Sequence, residues 1–83
     1  MDFCLEVTYK GCPEWPSPKR FDERIEKQLK KTSDGSGMGG VRDITWTYKT
    51  KKAVMKAAAQ ARAFIKKEKQ AVYRNAKVKT YEY

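Results

Sequence analysis

The sequence predicts a small single-domain α+β protein. Its expected architecture is a β-α-(β)-β-α-β sandwich, ferredoxin-like or a three-stranded variant, with both helices on one face of the sheet. Three observations lead there. Apolar and polar residues alternate with a period of two in residues 3–10, 44–48 and 76–83, which marks three half-buried strands. Apolar residues recur every three to four positions in residues 21–29 and 53–65, which marks two amphipathic helices. The elements alternate along the chain, and a short extra strand before the glycines completes the split βαβ arrangement.

Phe3, Leu5, Val7 and Tyr9 share one face of the first strand, and Gly11 with Pro13, Pro16 and Pro18 ends it. Ser17 followed by Pro18 is a helix-start signal, a side-chain cap and then a residue whose missing N–H is harmless in the first turn. Phe21, Ile25 and Leu29 then form an apolar stripe, with Glu23–Lys27 and Glu26–Lys30 at favourable i,i+4 spacing. Residues 33–40 form a glycine-rich connector, in which Asp34-Gly35 is suited to begin a hairpin turn. There is room for a short extra strand just before the glycines, although Lys31, Thr32 and Ser33 are poor strand formers, and a three-stranded sheet is the alternative. Ile44, Trp46 and Tyr48 alternate with Thr45 and Thr47 as the next strand. Thr50 is placed to cap a second helix over roughly residues 51–69, a short loop follows, and residues 76–83 close the sheet.

Eighty-three residues make one domain, 1–83, with a single thin core. The chain contains no histidine, so it lacks the commonest general base near neutral pH, and Ser/His/Asp or Cys/His arrangements are excluded. Cys4 and Cys12 read as reduced thiols, and without a C-x-x-C or a histidine no metal site is expected. The acids Asp22, Glu23 and Glu26 fall on a helix among cations rather than as an isolated carboxylate pair. A non-enzymatic protein is therefore expected, with no cofactor and no evident small-molecule substrate. No apolar run is long enough for a membrane span, and acids in residues 1–6 argue against a signal peptide, so a cytoplasmic protein is expected.

Charge is the strongest functional clue. Residues 1–40 carry seven Lys/Arg against seven Asp/Glu, whereas residues 41–83 carry twelve against three, which accounts for the whole formal +9. At 100° per residue, Ala53, Val54, Ala57, Ala58, Ala61, Phe64 and Ile65 lie on one arc of the second helix. Lys51, Lys52, Lys56, Arg62, Lys66, Lys67 and Lys69 lie on the opposite arc, and Glu68 is the lone acid. Ordinary solvated helices mix signs, and unmixed cations repel one another until a polyanion relieves them. The plainer alternative is a merely soluble lysine-rich face.

Alternation also places Thr8, Lys10, Thr45, Thr47, Lys49, Lys77, Lys79, Tyr81 and Tyr83 on the sheet face away from the helices. Tyrosines among lysines suit bases and phosphates, although edge-strand lysines also serve to block aggregation. Gly35, Gly37 and Gly40 match G-x-G-x-x-G, but the match follows a helix and precedes a strand, the reverse of a dinucleotide site. With Arg42 nearby, those amides retain only the possibility of an anion-binding nest. Trp15 is either an interface anchor or a cover over one end of the core.

Together these features point to nucleic acid engaged mainly through phosphate contacts from the second helix and the last strand, at Lys51, Lys52, Lys56, Arg62, Lys66, Lys67, Lys69, Lys77, Lys79 and Tyr81. Base-specific readout is not expected, because lysine point charges outnumber residues suited to base edges. The alternative is a protein-binding inhibitor or adaptor, monomeric or homodimeric, acting on an acidic groove or a nucleic-acid-processing complex. Small phage-encoded anti-defence (anti-CRISPR-like) proteins work in that manner.

Overall fold

A computed structural model describes residues 2–10, 19–38 and 41–82. In chain order its elements are β1 (Phe3–Lys10), α1 (Lys19–Leu29), β2 (Gly35–Met38) and β3 (Val41–Tyr48), followed by α2 (Lys51–Lys66), α3 (Ala71–Arg74) and β4 (Lys77–Glu82). The four strands form one antiparallel sheet in the order β2-β3-β1-β4. This is the ferredoxin-like arrangement, with β3 inserted between the two strands that α1 connects.

β1 is central because it is the most apolar strand on its helix-facing side, where Leu5, Val7 and Tyr9 are buried. Register carries that layer across the sheet: Leu5 stands opposite Trp46, and Val7 opposite both Ile44 and Val78. Phe21, Ile25 and Leu29 of α1 and Val54, Ala57, Ala58, Ala61 and Ile65 of α2 complete one core cluster over that face. Small alanines let α2 lie close on the sheet, which concentrates the large apolar contacts on Trp46 and the strand residues.

Each helix end has a chemical cause. Thr50 Oγ1 accepts from the Ala53 amide at 3.1 Å and caps α2. At the other end, Arg74 Nη1 donates to the carbonyls of Glu68 and Lys69 at 3.3 and 2.7 Å, so the chain leaves the helix at Lys66 rather than near 69. α1 ends in a Schellman pattern: Lys30 N–H donates to Lys27 O at 3.2 Å and Lys31 N–H to Glu26 O at 3.1 Å. The pattern needs a left-handed residue, and Lys30 supplies it at φ 56°. Lys30→Gly is therefore expected to raise stability by about 0.5–1 kcal/mol, read as a higher urea midpoint. An unchanged or lower midpoint would mean that Lys30 bears no backbone strain.

Three further expectations are revised. The extra strand exists but lies within the glycine stretch, at Gly35–Met38, rather than before it. Its neighbours Lys31–Ser33 are instead held by side chains, with Ser33 N–H donating to Glu26 Oε2 at 2.6 Å and Trp46 Nε1 donating to Lys31 O at 2.9 Å. The short loop before the last strand contains the single-turn helix α3, which inserts Tyr73 against Phe21, with the two rings stacked at 4.3 Å. The helical pairs Glu23–Lys27 and Glu26–Lys30 do not form ion pairs, since Glu26 turns to Ser33 and Lys30 has left the helical path. The Ser17-Pro18 start signal, Cys12, Trp15 and Tyr83 lie outside the described residues.

Candidate nucleic-acid interface

α2 presents its apolar arc to the sheet, so its cations are left outward. Lys51, Lys52, Lys56, Arg62, Lys66, Lys67 and Lys69 are all exposed, the last two beyond the helix end. None of the seven takes part in an ion pair among the described residues. The acids that do pair are committed elsewhere: Glu68 to Arg24 at 2.6 Å, Asp22 to Arg42, and Asp2 to Lys49 at 3.4 Å. The first turn of α2 holds no acid, so Lys51 and Lys52 stand at the positive end of the helix dipole, an unfavourable placement. Between the cations run Met55, which is 47% exposed, and the exposed small residues Ala59 and Ala63. A partner surface can therefore approach the helix closely along its centre line while cations reach out on both sides.

The remaining predicted residues are not part of that surface. Val78 faces the helices opposite Val7, so strand alternation turns Lys77, Lys79 and Tyr81 to the far side of the sheet. The helix and last strand therefore face opposite ways and do not form one interface. The open sheet face is also less basic than expected. Register puts Glu6 directly between Thr45 and Lys79, and Thr8 between Asp43 and Lys77. The Thr8 hydroxyl lies 3.1 Å from Asp43 Oδ1 and 3.3 Å from Glu6 Oε1, donating to one at a time, and Tyr81 donates to Glu6 Oε2 at 3.5 Å.

An open depression of about 730 Å³ on this side is lined by Glu6, Thr8 and Asp43 together with Lys10, Lys77 and Lys79. The two carboxylates oppose a phosphate chain laid across this face. The central strand also offers no ring on that side for a base to stack on, since Cys4, Glu6, Thr8 and Lys10 occupy it. Thr47 stands opposite Cys4 on this face, and Lys49 lies just past β3, where it meets Asp2. Cys4 itself is buried and unbridged. Glu6 and Asp43 were legible in principle, because parity groups Glu6 with Thr8 and Asp43 with Thr45.

The glycine motif is placed in a strand. Gly35 and Gly37 pair with Thr45 and Asp43 of β3, and no helix follows them. Arg42, the cation needed for a nest there, is half-buried and bound to Asp22. Burial acts to lower its pKa, but the hydrogen bond and charge of Asp22 outweigh that and hold it above the usual value. Among the described residues, a methyl group added at Gly35 would meet only Thr45 Oγ1, at 3.8 Å, an ordinary contact. Gly35→Ala is accordingly expected to leave the melting temperature within a few degrees, and a collapse of the fold would overturn the strand assignment.

Among the described residues no group of three His, Cys, Asp or Glu could hold a metal ion, and no helix is long and apolar enough to cross a membrane. No protein-family model, curated protein or solved structure matches the chain.

Proposed function

We propose that the protein is a non-enzymatic module that binds nucleic acid through phosphate contacts from the outer face of α2. One observation carries the reading: seven exposed cations on and just beyond one helix, none of them neutralised by an acid among the described residues. Self-repulsion on that face is relieved when a phosphate chain replaces its counterions. Ala59 and Ala63 between the cations let the backbone of the nucleic acid come close. Lys77, Lys79 and Tyr81 belong to a separate surface and are not assigned to this contact.

The second reading is an inhibitor or adaptor that occupies an acidic protein groove, of the kind small phage-encoded anti-defence proteins use. It is favoured by Met55, a flexible apolar side chain exposed in the middle of the cationic face, where protein partners are often gripped. Affinity capture from the native host, with and without nuclease, separates the two. Recovery that disappears with nuclease supports nucleic acid, whereas a discrete nuclease-resistant partner supports the inhibitor or adaptor. Binding of a duplex or single strand by the purified protein at low salt is the direct check, and its absence would sink the leading reading.

A further inference from the structure

Where α1 ends beside the first turns of α2 there is a small groove of about 310 Å³. Gln28, Lys30, Tyr48, Lys56 and Gln60 line it, together with Ala57. Every polar side chain in that set can donate a hydrogen bond, and none is a carboxylate. The groove adjoins the cationic face, because Lys56 belongs to both.

Tyr48 is the unusual member. Its hydroxyl is buried and has no hydrogen-bond partner among the described residues. Buried hydroxyls are normally satisfied, so an orphan carried by a residue that lines a groove calls for an explanation. The Lys31 ammonium lies 4.6 Å from the centre of the same ring, adding positive charge beside it. Burial first, then the charge of Asp34, raises the phenol above its usual pKa, so it remains a proton donor at neutral pH. Asp34 acts on it only at a distance, because it accepts no hydrogen bond from the hydroxyl.

We infer that this groove is a phosphate subsite of the α2 interface, where a backbone phosphodiester is held by Lys30, Lys56 and the side-chain amides of Gln28 and Gln60, and accepts a hydrogen bond from the Tyr48 hydroxyl once a shift of the groove wall uncovers it. The inference rests on the nucleic-acid reading and sharpens it. It gives the interface a fixed anchor with directional donors, where the rest of α2 offers mobile point charges. The left-handed turn at Lys30 is what brings an α1 cation to this position.

The test is NMR titration of the ¹⁵N-labelled protein with a short oligonucleotide, following the Gln28 and Gln60 side-chain amides alongside the α2 backbone. Affinities of Tyr48→Phe and Lys56→Gln are measured in parallel. The expected result is that both side-chain amides shift with the oligonucleotide and that Tyr48→Phe weakens binding about 3- to 10-fold. Tyr48→Phe keeps the ring and removes only an unpartnered hydroxyl, so its melting temperature should hold or rise. Lys56→Gln should weaken binding as well and lower the salt dependence.

If the α2 backbone shifts while the glutamine amides stay still and Tyr48→Phe binds normally, the groove is not a subsite, though nucleic-acid binding stands. If no resonance moves, both readings fall. Inorganic phosphate at matched ionic strength is the second probe. Shifts of the same glutamine amides support a phosphate site, and shifts with inorganic phosphate but not the oligonucleotide would overturn the diester assignment.

Discussion

Trp46→Ala is expected to leave the protein largely unfolded at ambient temperature. Trp46 is fully buried, stands opposite Leu5 on the central strand, and donates its indole N–H to the Lys31 carbonyl at 2.9 Å. Truncating a buried tryptophan costs about 3–5 kcal/mol, and a chain of this length holds only roughly 4–12 kcal/mol of stability in total. The loss is compounded because the Lys31 carbonyl is left without its donor, next to the turn that ends α1. Trp46→Phe separates the two contributions, keeping most of the ring volume but losing the hydrogen bond at a cost of about 1–3 kcal/mol. Urea midpoints measure both, and a Trp46→Ala midpoint close to that of the parent would remove Trp46 from the core.

The largest expected functional effect comes from Lys56→Gln combined with Lys66→Gln. Both residues are exposed on α2, opposite the buried Val54, Ala57, Ala58, Ala61 and Ile65, so the fold should be unaffected. If each meets one phosphate, the log–log dependence of affinity on salt should flatten by about 1.4–1.8 units. Binding at physiological salt should weaken accordingly, with little change in melting temperature. Lys77→Gln combined with Lys79→Gln is the matched control, since it removes the same charge from the opposite side of the molecule. That pair is expected to change affinity only slightly. Equal losses from both pairs would mean that net charge alone drives binding and would end the case for a defined helix face.

Much of this molecule was readable from local sequence. The alternation of Leu5, Val7 and Tyr9, the stripe Phe21, Ile25 and Leu29, and the cap at Thr50 each depend on near neighbours along the chain. All appear as expected. The cationic arc of α2 was legible for the same reason, because helical periodicity alone separates it from the apolar arc. The single-turn helix that buries Tyr73 was not legible, since four residues are too few to show a period.

Strand parity showed which side of the sheet each residue faces, but not which residues stand beside one another. That depends on the order β2-β3-β1-β4, which is set by pairing between segments distant in sequence. Only the tertiary structure therefore put Glu6 and Asp43 among Lys77 and Lys79. It also decided the groove. Gln28 and Lys30, at the end of one helix, meet Lys56 and Gln60 on another only because both helices pack on the same face, over Trp46 and the central strand.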